Sequence, residues 1–146
     1  VRVVVHTLSA AETIELGRTL ASQLGAGDVV AFYGELGAGK TTMIKGVAAG
    51  LGVAEVVKSP SFVIVTEYAG RLPVCHVDLY RVGANSDFEP IGLDAYLDGD
   101  GVCLIEWAER AAKLLSDSAI RVRMSVEGSG RRIEIAGLRA PLQPVQ

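Results

Sequence analysis

Apolar residues along this chain follow two periods that take turns. Short runs rich in Val, Ile, Phe and Tyr predict strands at residues 1–6, 29–33, 62–68, 72–79, 102–106, 119–126 and 131–135. Helical spacing appears between the first of them. Ile14, Gly17, Leu20, Ala21 and Leu24 share a face behind a Ser9-Ala10-Ala11-Glu12 capping box, and Met43, Val47 and Leu51 share a face of residues 42–51. A helical or irregular stretch is read at residues 87–97 and a short helix at 108–115. Glycine, proline and aspartate mark the joints: Gly25-Ala26-Gly27-Asp28, Ser59-Pro60-Ser61, Ala69-Gly70-Arg71 as a hairpin, Asp98-Gly99-Asp100-Gly101, and Gly128-Ser129-Gly130. Residues 102–106 are apolar without alternation until a final acid, the pattern of a central strand buried on both faces. Strand, helix, strand and helix in this order imply an α/β fold of three layers, a mostly parallel central sheet flanked by helices. Residues 1–140 read as a single domain and residues 141–146 as a disordered tail.

Between the strand at 29–33 and the helix at 42–51 lies Gly34-Glu35-Leu36-Gly37-Ala38-Gly39-Lys40-Thr41, which satisfies G-x-x-x-x-G-K-[ST] at every required position. A strand leading in and a helix leading out separate a P-loop from a chance glycine-rich turn with a solvated lysine. Gly37, Ala38 and Gly39 let backbone N–H groups converge on a phosphate, and the helix behind them points its positive end at the same charge. Lys40 then reaches the β- and γ-phosphates and the Thr41 hydroxyl meets Mg²⁺, so ATP and Mg²⁺ are the expected ligands of a P-loop NTPase fold.

A P-loop needs a carboxylate at the carboxyl end of a neighbouring parallel strand as a second anchor for Mg²⁺. Two acids qualify, Glu106 after residues 102–105 and Asp78 after residues 73–77, and either can activate water. Ser59 and Ser61 occupy the loop from which such proteins send a hydroxyl toward the γ-phosphate. Arg81 reads either as a surface ion pair with Asp78 or Glu89 or as a contact to phosphate or to a partner. Trp107, the single tryptophan, is assigned to core packing ahead of nucleotide contact; His6 and His76 are assigned structural roles. Arg131 and Arg132, with Arg121, Arg123 and Arg139, read as a solvated basic face.

Composition narrows the classes further. At 146 residues and a net charge of −3, the chain has room for one core and offers no general electrostatic platform for nucleic acid. No apolar run approaches the roughly 18 residues of a membrane helix, and the first six residues do not form a signal peptide, so a cytoplasmic protein is expected, without a membrane partner. Cys75 and Cys103 sit in apolar runs without metal-ligand spacing and are expected as buried free thiols.

Four segments in order, GELGAGKTT at residues 34–42, KSPSF at 58–62, HVDLYR at 76–81 and LIEW at 104–107, closely resemble the bacterial TsaE family, also called YjeE. The resemblance covers nearly the whole chain. It implies a small ATPase required for N6-threonylcarbamoylation of adenosine 37 in tRNAs that decode ANN codons. It also implies TsaD and TsaB proteins as partners, with tRNA reached indirectly through their complex and TsaC supplying threonylcarbamoyl-adenylate. By position, Lys40 and Thr41 would bind phosphate and Mg²⁺, Thr42 would serve the α-phosphate side, and Glu106 would be the acid on the Mg²⁺ side. Asp78 would belong to a switch segment, and the start of the first helix, Ser9 to Thr13, would lie near the adenine. Ser61 stands where the family usually has threonine; the hydroxyl is kept but its rotamer is freer. Lys40, Asp78 and Glu106 are thus the expected catalytic residues of an ATP hydrolase that turns over slowly until its partners act. A GTPase fits poorly, because no Asn-Lys-x-Asp segment is present and Asp78 is followed three residues on by Arg81 instead of glycine. A small-molecule kinase usually needs an arginine-rich lid and an acceptor pocket, and no segment of this sequence reads convincingly as either. A module that binds ATP only to dock its partners uses nearly the same residues and stays open.

Overall fold

Two tight hairpins and a run of crossovers decide the sheet. A computed structural model describes residues 1–35, 37–57, 65–79, 97, 99–109 and 115–142. Their elements are β1 (Val3–Thr7), α1 (Ala10–Ala21), β2 (Val29–Tyr33), α2 (Lys40–Gly50), β3 (Val65–Ala69), β4 (Pro73–Asp78), β5 (Val102–Glu106), β6 (Ile120–Glu127) and β7 (Gly130–Ala136). They form one sheet in the order β1-β7-β6-β2-β5-β4-β3. The four strands at its centre, β6, β2, β5 and β4, run parallel to one another. The margins are antiparallel, because β3 to β4 and β6 to β7 are joined by turns too short for a crossover, and β1 pairs antiparallel with β7. This is the expected α/β P-loop fold with a mostly parallel core. The predicted stretch at 87–96 and residues 110–114 of the predicted short helix lie outside the described residues, as do Leu36, residues 58–64 and residues 143–146.

Both helices pack on one face of the sheet, where Leu16 and Leu20 of α1 and Met43, Ile44 and Val47 of α2 meet Val30, Phe32, Leu104, Val122 and Ile133. The opposite face carries a second apolar cluster on β2, β5 and β4 that includes Ala31, Cys75, Val77, Cys103 and Ile105, with Leu97 and Leu115 packed against it. Cys75 and Cys103 are free and buried, as expected, and face each other in register on β4 and β5. The Cys75 hydrogen bond and burial push the Cys103 thiol well above its ordinary range, which keeps it unreactive. No helix among the described residues is long and apolar enough to cross a membrane.

The α1 helix starts where the capping box predicts: Ser9 is its N-cap, and the Ser9 hydroxyl accepts from the Glu12 amide at 3.1 Å. Its contact with α2 is close enough to exclude a methyl group. A Cβ on Gly46 would lie 2.8 and 2.9 Å from backbone carbons of Ile14, and backbone cannot swing aside as a side-chain tip can. Gly46→Ala is therefore expected to destabilise the fold by about 1–3 kcal/mol, read as a lower urea midpoint at unchanged slope. Gly25→Ala is the control, since a Cβ there meets nothing within 4 Å.

Candidate active site

The chain leaves β2 at Tyr33 and returns into α2 through the glycine-rich turn. Gly39 caps α2 in the left-handed region, φ 99°, with no side-chain hydrogen bond to the helix start. Residues with a Cβ seldom adopt that conformation. It lets α2 begin at Lys40, two residues before the helical spacing of the sequence becomes visible, so the first N–H groups of α2 face the loop. Gly37 also has positive φ, 83°.

Lys40 is 4% exposed. Its ammonium donates to the Gly34 carbonyl and lies over the Trp107 ring, 3.6 Å from the centroid. Burial pulls the Lys40 pKa below its ordinary value, against the attraction of Glu106, Glu109 and Asp78, which favours the charged form. Trp107 is not only a core residue, as the sequence suggested. It holds φ 58°, a left-handed conformation unusual for a bulky side chain; such a conformation costs about 1–3 kcal/mol and persists only where its surroundings enforce it. Here the ring both packs against the second apolar cluster and covers the P-loop lysine.

Parallel pairing of β4 with β5 puts Asp78 directly beside Glu106 at the carboxyl ends of the two strands. Glu106 is 4% exposed. Its Oε1 accepts from the Thr41 hydroxyl at 3.0 Å and its Oε2 meets Nε2 of His76 at 2.6 Å. The Thr41 hydroxyl and the Glu106 carboxylate are hard oxygen donors facing each other at the helix start, a pair suited to Mg²⁺. No group of three or more His, Cys, Asp or Glu able to hold a metal is present among the described residues.

The predicted positions Ser9 and Thr13 are brought to the same place from the other side. They line a cleft of about 130 Å³ with Thr7, Gly39, Thr42 and Arg131; the Thr7 and Thr13 hydroxyls share a hydrogen bond of 2.8 Å. Ser59, Ser61 and Arg81 lie outside the described residues.

Two residues at the site escaped the sequence reading. His76, given a purely structural role, is fully buried against Glu106. Arg131, grouped with a solvated basic face, donates to the P-loop carbonyls of Gly37 and Ala38 at 3.2 Å each. Alternation carried the signal in both cases. Arg131 shares parity with Ile133 and Ile135, so it belongs to the helix side of β7, whereas Arg132 faces away. His76 shares parity with Asp78.

Known proteins resemble this chain along most of its length. The family model described as "Threonylcarbamoyl adenosine biosynthesis protein TsaE" matches residues 7–133. The tRNA threonylcarbamoyladenosine biosynthesis protein TsaE of Treponema pallidum is 40% identical over 124 residues, which cover 85% of this chain and 92% of that protein. The protein of the same name from Bacillus subtilis is 41% identical over 128 residues, 87% of this chain and 80% of that one. The crystal structure of Bacillus subtilis YdiB superposes with a TM-score of 0.80 at 35% identity, covering 92% of this chain and 84% of that one. With a family model across most of its length and relatives at this identity, the chain belongs to the TsaE family of threonylcarbamoyl adenosine biosynthesis proteins.

Proposed function

We propose that this chain is a Mg²⁺-dependent ATPase that serves tRNA threonylcarbamoyladenosine formation in the cytoplasm, acting on the TsaB–TsaD complex and reaching tRNA only through it. The observation that supports this best is the meeting of Thr41, at the start of α2, with Glu106, at the end of β5, beside a buried Lys40. Family membership supports the role in the modification; the hydrolytic chemistry is read from the residues.

In this reading the amides at the start of α2 and the Lys40 ammonium position a triphosphate, with Thr42 on the α-phosphate side. Lys40 lies in a site of low dielectric, where a charge-assisted bond to phosphate is stronger than in water. It must first give up its contacts with the Gly34 carbonyl and the Trp107 face. Thr41 and Glu106 hold Mg²⁺, which when bound offsets negative charge on the β- and γ-phosphate oxygens. Asp78, in register beside Glu106, takes the proton side of an attacking water. Arg131 keeps the loop in shape from outside by binding its carbonyls. Ser9 and Thr13 border the cleft for the nucleoside. The charge compensation that completes the transition state is taken to come from the partner, in which case turnover by the isolated chain is slow.

Reconstitution tests the reading. Purified TsaB, TsaD and threonylcarbamoyl-adenylate are mixed with an ANN-decoding tRNA, with and without this chain and ATP. Repeated rounds of modification are expected only when both are added. Modification that is indifferent to the chain would contradict the proposal. Modification supported equally by Glu106→Ala would favour the rival in which bound ATP only docks the chain to its partners.

A further inference from the structure

His76 is the most buried ionisable residue near the site, at 0% exposure, yet the mechanism above does not use it. Its strand neighbours Val74 and Val77 are apolar core residues, so an aliphatic side chain would fill the position without the cost of drying an imidazole. Among the described residues, one ring nitrogen is used. Nε2 meets Glu106 Oε2 at 2.6 Å, while Nδ1 is buried with no hydrogen-bond partner among the described residues. A carboxylate is an acceptor only, so the bond assigns the hydrogen to Nε2 and leaves Nδ1 as a bare lone pair, less costly than an orphaned N–H. Packing alone does not explain a histidine that, among the described residues, satisfies one carboxylate oxygen and nothing else.

We infer that His76 is a positioning residue for Mg²⁺: it fixes the rotamer of Glu106 so that Oε1 stays presented to Thr41 and to the cation. This rests on the reading of Glu106 as the Mg²⁺-side acid. Each carboxylate oxygen has its own partner, Thr41 for Oε1 and His76 for Oε2. Thr41 sits at the start of α2 and must also serve the nucleotide, whereas His76 sits on β4 and, among the described residues, hydrogen-bonds Glu106 alone. The sheet contact therefore holds the acid whether or not ligand is present. Groups that orient a metal ligand typically contribute about 10- to 100-fold in metal affinity.

The test compares wild type with His76→Leu, His76→Gln and His76→Asn. ATP affinity is titrated by calorimetry with Mg²⁺ and with EDTA, after thermal unfolding has shown which variants fold. Glutamine can place a donor near the Nε2 position and asparagine cannot reach it. Expected is a loss of about 10-fold or more in the Mg²⁺-dependent gain for leucine and asparagine, with affinity in EDTA unchanged and the gain largely restored in glutamine. Equal gains in wild type and His76→Leu would overturn the inference while leaving the ATPase reading intact. If His76→Leu does not fold, equal gains for glutamine and asparagine overturn it. A wild type with no Mg²⁺-dependent gain removes the underlying reading and the inference together.

Discussion

Glu106→Gln is expected to keep its ATP affinity in EDTA, to lose most of the Mg²⁺-dependent gain in affinity and to turn ATP over about 10²-fold more slowly. Glutamine keeps the volume and one oxygen of a side chain that is 4% exposed, so no cavity opens and the sheet edge is unchanged. What it removes is the negative charge facing Thr41 at the helix start. In the proposed function the metal-free triphosphate is held mainly by Lys40 and the α2 amides, so affinity in EDTA survives while Mg²⁺ placement does not. Phosphate release gives the rate. Fluorescence of the single tryptophan, which lies over Lys40, gives binding in the same cuvette. Loss of ATP binding in EDTA along with turnover would mean that Glu106 supports the loop and not the metal.

Lys40→Ala is expected to lower ATP affinity by about 10²-fold, the loss of a charge-assisted bond worth about 3 kcal/mol. Stability should move the other way. Burial lowers the Lys40 pKa in the folded chain, so the unfolded chain holds that proton more tightly. The cost to the fold is therefore full below the folded pKa and fades as pH rises through it toward the ordinary value of 10.5. Removing the ammonium removes that cost. Equilibrium unfolding near neutral pH should show the alanine variant at least as stable as wild type, with a flatter rise at alkaline pH. A clearly less stable variant would show that the Gly34 and Trp107 contacts outweigh the burial of the charge.

The two substitutions separate parts of the site that were unequally visible in the sequence. The loop from Gly34 to Thr41 is contiguous, so its chemistry could be read directly. Asp78 and Glu106 were legible as acids ending apolar strands, because strand ends in a parallel sheet are where ligands collect. Their adjacency depends on the pairing of β4 with β5, which no local pattern encodes. Parity along a strand was available and underused. It separates Arg131 from Arg132 and puts His76 on the side of Asp78, but a count of basic residues and a base rate for buried histidine both hide it. Trp107 was beyond local reasoning, since its position over Lys40 follows from a positive φ at a residue type that rarely takes one. In the sheet, the parallel core followed from the βαβ order, and the antiparallel margins from the short turns at residues 70–72 and 128–129.

The function proposed for this chain is Mg²⁺-dependent ATP hydrolysis under the control of TsaB and TsaD. Steady-state phosphate release by the purified chain, alone and with those two proteins from the same organism, tests it most directly, with Lys40→Ala as the blank. Slow release by the chain alone and a rise of at least about tenfold when the partners are added are expected, since a partner then completes the transition-state charge. Brisk release by the chain alone, or release that stays at the blank with the partners present, would contradict it.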